Sequence, residues 1–366
     1  MDTTIPVGDP KAVKRWSAEL FIDTAKKAYF ERKFIGTTDN SFIQRLTDLD
    51  SAAGDTISFD LSLQLRKRPI YGDDRAQGKS EDLKFATDQV MIDQMRAPVS
   101  AGGRMTRKRT LHDLRSVARD RLGDYWARFL DEMMFIYLSG ARGINEDFIE
   151  DVTWVGHAGN AIQAPDTDHL VYGGTATAKN NVTTADVMSV QTIERVLVKA
   201  TMIRATNPEN PNMLPVSING EPHFVVVMVP FQEYQMRTSV SPGSWLDIQK
   251  AAAAAEGKSN PIFKGNLGMI NNAVLHSHES VIRFSDYGAT VNLPAARALL
   301  LARQAGVAAY GTSGGMRMQW KEELTDFENQ VDIAAGTIMG TKKTRFRNRD
   351  FGVIAIDTYA KDPNAP

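Results

Sequence analysis

The chain has 366 residues, of which 42% are hydrophobic and 24% charged, with a formal net charge of -1; this is the composition of a folded protein long enough for two ordinary domains or one large one. It contains no cysteine, which excludes disulfides, thiolate catalysis and Cys-ligated zinc or iron–sulfur clusters, and fits synthesis in a reducing cytoplasm. The near-zero charge points to no polyanionic partner, residues 1 to 16 lack the apolar core of a signal peptide, and the apolar runs Phe224 to Val229 and Ala295 to Ala302 are too short to cross a bilayer, so a soluble chain without a membrane partner is expected.

Residues 9 to 34 read as a helical arm. Asp9 can cap it, Pro10 suits the first helical position, and Val13, Trp16, Leu20, Ala25 and Phe30 form a loose apolar stripe with no obvious local partner. A loop signal follows from Gly36 to Asn40. Next, Ile57, Phe59, Leu61, Leu63 and Leu65 alternate with polar residues, the period of a half-buried strand. A second strand is expected from Leu83 and Phe85 through Val90 and Ile92, and its change of apolar parity suggests a bulge near Thr87. Between the strands lies a charged tip that includes Arg66, Lys67, Arg68, Asp73, Asp74 and Arg75. Two long strands with one apolar face make a ribbon that is marginal alone. That face has to be covered by the rest of the chain or by a neighbouring copy, and the tip charges are candidates for setting the register between copies.

The clearest helix spans 106 to 139, with Leu111, Leu114, Ala118, Leu122, Tyr125, Phe129, Met133 and Ile136 on one stripe and Gly140 as its stop. A basic run, Arg96, Arg104, Arg107, Lys108, Arg109, Arg115, Arg119 and Arg121, leads into and along it. Such a surface binds phosphates without base specificity or pairs with acidic neighbours; no interleaved aromatics provide a stacking platform. Residues 143 to 182 read as loops with short strands. A second helix is expected from Thr184 or Asp186 to Ile203, a buried strand from Phe224 to Val229 ended by Pro230, and a third helix over 244 to 256. Further strands are expected at Met269–Ile270, Val274–Leu275, Val281–Phe284, Met316–Trp320 and Gly352–Ile356, with an apolar segment from Ala295 to Gln304 opened by Pro294. The pattern is α+β with mixed sheets.

Recognisable chemistry is missing from this pattern. No phosphate-binding loop or dinucleotide fingerprint occurs, and Gly102-Gly103, Gly173-Gly174 and Gly314-Gly315 read as turns. His276 and His278 could reach one ion from a strand, but no third ligand is visible, so solvent-facing histidines beside a turn are the plainer reading. Asp73-Asp74 and Glu322-Glu323 read as solvated surface and not as acid–base pairs. No catalytic residue, cofactor site or metal site is expected, and a hydrolase or transferase has no anchor here.

The order of arm, ribbon, rod-like helix and mixed αβ region resembles the major capsid proteins of tailed bacteriophages, with their HK-ninety-seven-type fold. The segments Ile5 to Pro10, Gly54 to Asp60, Ser100 to Arg109, Phe135 to Gly143, Ala298 to Ala305 and Gly340 to Lys343 are similar to the N-four-like capsid family. That resemblance implies an N-terminal arm over 1–54, an extended E-loop over 55–101, a P-domain with spine helix over 102–182, an A-domain over 183–325 and a return to the P-domain over 326–366. It implies a subunit that forms hexamers and pentamers, closing into an icosahedral shell around double-stranded DNA, with the E-loop lying across an adjacent copy. Expected partners are further copies of the chain, a separate scaffolding protein, a portal protein, a decoration protein and non-specifically packaged DNA. The expected location is the virion after assembly in the host cytoplasm. Arg104, Arg107, Lys108, Arg109, Arg115 and Arg119 would face the genome or a neighbour. The second reading is a sequence-independent nucleic-acid-binding protein using residues 104–121.

Overall fold

The computed structural model describes residues 28–49, 54–109, 113–218, 220–239, 267–311 and 319–364. Most of the expected arm helix, the expected helix over 244 to 256, Gly314-Gly315 and the start of the strand expected at Met316 lie outside the described residues. A short helix, Tyr29–Lys33, remains of the arm within them.

Two sheets carry the fold. The first joins Ile35–Gly36, Ile43–Leu46, Asp93–Gly103, Gly306–Tyr310, Gln319–Thr325 and Gln330–Lys343. Its axis is Gln330–Lys343, 14 residues long. One edge of that strand pairs with Asp93–Gly103 and the other with Gly306–Tyr310 and Gln319–Thr325, all antiparallel. The second sheet is eight-stranded. At its centre Leu293–Leu301 lies antiparallel to both Glu221–Met228 and Val353–Tyr359, and Ala273–Ser277 runs parallel to Glu221–Met228. Residues 295 to 301 are buried without a break, so both faces of this strand are covered; a continuous apolar run without alternation is the sequence form of that situation.

The long helix, Leu114–Ser139, has 26 residues. Asp113 caps it by accepting the Arg115 N–H at 3.1 Å. Gly140 ends it in the left-handed conformation, φ 68°, and donates its N–H to the Ile136 carbonyl. A Cβ at Gly140 would stand 2.1 Å from the Gln163 carbonyl oxygen, so close packing and backbone geometry both require glycine. From Phe129 to Ser139 every residue is buried, Asp131 and Glu132 included; the second half of the helix runs through the core and does not lie on it. Buried carboxylates need partners, and each of these takes two amides. Asp131 accepts from Tyr29 and Phe30 at 2.8 and 3.0 Å, and Glu132 accepts from Ile149 and Glu150 at 2.7 and 2.8 Å. The helix thereby fastens both the chain that enters from the arm and the loop that follows it.

A buried ionic group fastens the second sheet to the same helix. Arg297 donates from Nε and Nη2 to the two carboxylate oxygens of Asp357, both at 2.7 Å, and from Nη1 to the Ser139 carbonyl at 2.9 Å. The Tyr287 hydroxyl donates to Asp357 at 2.6 Å. The fork of the guanidinium matches the carboxylate and leaves a third direction for the helix end.

Several expectations need correction. The helix expected over 106 to 139 is two helices, Arg104–Arg109 and Leu114–Ser139. The second helix begins at Val190, where Ser189 accepts the Thr192 N–H at 3.2 Å; Asp186 instead turns back to accept from the Thr183 amide and hydroxyl. Pro230 ends one strand and also opens a helix, Pro230–Ser239, using the position where its missing N–H costs nothing. The strands Gly306–Tyr310 and Gln330–Lys343 were not expected, because runs of Ala, Gly and Thr carry little hydropathy alternation.

Candidate assembly surface

The ribbon consists of Thr56–Ser62 and Phe85–Met91, antiparallel in continuous register from Thr56 opposite Met91 to Ser62 opposite Phe85. No bulge occurs at Thr87. The parity change has another cause: Asp88, a polar residue, takes an inward position between Ala86 and Val90, while Phe85 faces outward. Asp88 is satisfied there by an ion pair with Lys342 and by the Arg345 N–H at 3.1 Å. Ile57, Val90 and Ile92 pack on Val307 and Ala309 of the first sheet. The Asn160 side chain donates to the Met91 carbonyl at 2.7 Å and accepts the Met91 N–H at 3.0 Å, imitating one more paired strand. The root of the ribbon is therefore covered by its own chain.

Beyond Ser62 the situation reverses. Residues 63 to 84 form no strand. Leu65, Tyr71, Leu83 and Phe85 are 62%, 74%, 64% and 58% exposed, four large apolar side chains within one excursion and without cover among the described residues. All six tip residues singled out from the sequence, Arg66, Lys67, Arg68, Asp73, Asp74 and Arg75, are exposed. Glu81 gathers two of them, accepting the Arg66 N–H at 2.8 Å and the Lys67 N–H at 2.6 Å, and these amides hold its carboxyl below the ordinary range. Arg66 also lies 3.9 Å from Glu209, and Lys79 lies 3.4 Å from Asp74. Exposed pairs of this kind contribute little stability, so they shape the tip without anchoring it.

The arm reaches the body at Tyr29 and Phe30. The Phe30 ring lies 4.7 Å from that of Phe135, edge to face, and Asp131 takes both amides. Burial raises the Asp131 carboxyl to about 6, against the opposing pull of the two N–H donors. Nothing in the sequence marks Asp131 for this role, because an acidic residue on a helix ordinarily reads as surface.

The basic candidates are dispersed. Arg104 and Arg107 sit on the helix Arg104–Arg109, against the turn that joins Gln319–Thr325 to Gln330–Lys343, where Arg104 lies 3.5 Å from Glu328 and Arg107 donates to the Asn329 carbonyl at 3.3 Å. Lys108 and Arg109 are exposed. Arg115 pairs with Glu322 at 2.9 Å, so that carboxylate belongs to an ion pair, while Arg119 lies 4.0 Å from Asp120. His276 and His278 do not face solvent as expected. His276 is buried, and the His278 ring lies tilted against those of Tyr29 and Phe135, with centroids 4.5 and 5.0 Å apart, where burial, followed by Lys33, lowers its pKa to about 4. Among the described residues no group of three or more His, Asp or Glu could hold a metal ion, and no helix is long and apolar enough to cross a membrane.

A family model described as phage capsid protein matches residues 4–362. A major capsid protein of Pseudomonas phage KPP25 is 26% identical over 372 residues, which cover 93% of each chain. Among solved structures, the capsid of Ralstonia phage GP4 is 60% identical over the whole of both chains with a TM-score of 0.89. The cyanophage Pam1 capsid is 21% identical over 92% of this chain and 93% of that one, with a TM-score of 0.70, a likeness of fold.

Proposed function

The chain belongs to the phage capsid protein family, and on that premise we propose that copies of it join through the distal ribbon and the arm. It is a major capsid protein with the α+β, HK-ninety-seven-type fold, and its work is to form the shell of a tailed bacteriophage. In the finer reading, the described parts serve as an arm up to residue 54, an E-loop from 55 to 101, a P-domain containing the long helix, an A-domain from 183 to 325 and a closing segment to 366. The E-loop of each copy lies across the next within hexamers and pentamers. Scaffolding, portal and decoration proteins are the assembly partners we assign, with double-stranded DNA as the contents and the host cytoplasm as the place of assembly.

The observation that carries the reading is the change of environment along one ribbon: a root packed on its own sheet and a distal part that exposes Leu65, Tyr71, Leu83 and Phe85. Surface of that kind gains by burial against another copy, at about 25 cal/mol per Å² before association costs. Arg68, Asp73 and Arg75 then contribute orientation more than affinity. The sequence-based alternative, a nucleic-acid-binding protein built on residues 104–121, draws no support from the relatives. Arg104, Arg107 and Arg115 moreover face acidic or carbonyl partners in their own chain.

Removal of residues 67 to 82 tests the proposal. The expected result is a subunit with the urea midpoint of the parent and no shells by negative-stain microscopy. A deletion variant that unfolds, or that forms shells in ordinary yield, would place the ribbon in the core or make it dispensable, and either result rejects the reading.

A further inference from the structure

One exposed aromatic side chain stands apart from the ribbon. Gln319–Thr325 and Gln330–Lys343 form a hairpin that closes at Thr325 opposite Gln330. At its turn Asp326, Phe327 and Glu328 adopt φ of 54°, 51° and 65°, three successive non-glycine residues in the left-handed region, which L side chains avoid. Such strain persists only where the surroundings enforce it. Here Asn329 donates its N–H to the Asp326 carbonyl at 3.0 Å, its side chain accepts the Arg104 N–H at 3.3 Å, and its carbonyl accepts from Arg107 at 3.3 Å. The turn is therefore clamped to the short helix Arg104–Arg109. The product of that clamp is Phe327, 102% exposed, between two carboxylates.

The same chain carries a groove of matching character between the ribbon and the segment after the helix Val190–Thr206. It has a volume of about 250 Å³; an apolar cavity of roughly 150 Å³ already accepts a benzene ring. Leu63, Leu214 and Phe351 give it apolar walls, and Lys84, Arg204 and Arg347 give it charge; in all, Arg66 included, four basic side chains line it against Glu81 and Glu209. Phe327 is fully exposed and so does not fill this groove in its own chain.

We propose that the Asp326-Phe327-Glu328 turn of one copy inserts into the groove lined by Leu63, Leu214, Lys84 and Arg204 on a second copy. The aromatic ring enters between the apolar walls and the flanking carboxylates meet the basic rim, a knob and socket of opposite charge. Because the two surfaces differ, the contact is head-to-tail and propagates from copy to copy, as a shell of many copies needs. This rests on the assembly reading above and adds to it a second contact, which uses the ribbon residues Leu63 and Lys84 but not the exposed row Leu65, Tyr71, Leu83 and Phe85.

The absence of cysteine permits a direct test in the full chain. Phe327→Cys and Leu214→Cys are introduced singly and together, shells are formed with the scaffolding protein, and the products are oxidised and run on a non-reducing gel. The double variant should give a ladder of covalently linked subunits, and neither single variant should. Shells formed in normal yield without a ladder overturn the knob and socket while leaving shell formation intact; failure of the unmodified chain to form any particle overturns the assembly reading and this contact with it. A charge exchange provides a second measurement free of cysteine effects. Asp326→Lys with Glu328→Lys should cut shell yield about ten-fold, the equivalent of roughly 1.4 kcal/mol, and adding Lys84→Glu with Arg204→Glu should restore it. Loss without restoration overturns the pairing.

Discussion

The eight-stranded sheet and the ribbon are both extended chain, yet they solve the problem of burial in opposite ways. In the sheet, Leu293–Leu301 lies between two partners and its apolar run is enclosed on both faces by the chain itself. The ribbon has one partner per strand, and among the described residues only its root finds cover, from Val307 and Ala309. Its distal half carries leucine, tyrosine and phenylalanine into solvent. The sheet holds the subunit together; the exposed side chains of the distal ribbon contribute little to that. A residue's chemistry alone does not separate the two roles, since Leu65 and Leu300 are the same amino acid.

The largest expected effect lies at the ionic group of the sheet. Asp357→Asn removes the charge that faces buried Arg297 and should cost ~3–5 kcal/mol, read as a lower urea midpoint; a change under about 1 kcal/mol would mean that the pair is replaceable and the sheet is held by packing alone. Within the ribbon the contrast becomes a matched pair. Ile57→Ala at the packed root should cost about 2–4 kcal/mol, whereas Leu65→Ala should change subunit stability by no more than about 0.5 kcal/mol while lowering shell yield. Equal destabilisation by both would erase the distinction between root and tip.

The expected effect at the arm anchor depends on pH. Folding raises the Asp131 carboxyl from 3.8 to about 6, so the folded state binds its proton more tightly than the unfolded state. The contribution of this group to stability is therefore greatest at acid pH and declines as pH rises from about 4 through 6, by up to about 3 kcal/mol. Asp131→Asn cannot ionise, so the stability of the parent relative to this variant should fall across that window when measured by urea titration at each pH. A constant difference would show that the two amides from Tyr29 and Phe30 keep the carboxyl ionised throughout.

Parts of this were legible beforehand for identifiable reasons. Strict alternation from Ile57 onward announced a ribbon, and a tip dense in Arg, Lys and Asp announced its exposure. Gly140 marked the helix end because few other residues accept that backbone conformation. The strand Gln330–Lys343 was invisible, although the first sheet is organised around it, because its Ala, Gly and Thr residues are chosen for close approach and not for hydropathy: a Cβ at Gly340 would sit 1.9 Å from the Met91 carbonyl oxygen. The left-handed turn at Phe327 is not legible for a different reason: Asp326 alone of the three tolerates that conformation, and only as a single residue, while Phe327 and Glu328 carry no propensity for it.

By itself, the sequence determined the α+β class, the ribbon, the helix stop and, through its family phrases, the kind of protein this is. All of these are encoded by local period, by glycine or by wording along the chain. Tertiary structure alone decided that Asp88, Asp131 and Asp357 are interior residues, that the ribbon is covered at its root and bare toward its tip, and that an acidic aromatic turn and a basic groove are both left open on one subunit. These depend on which distant segments meet, and no local pattern specifies that.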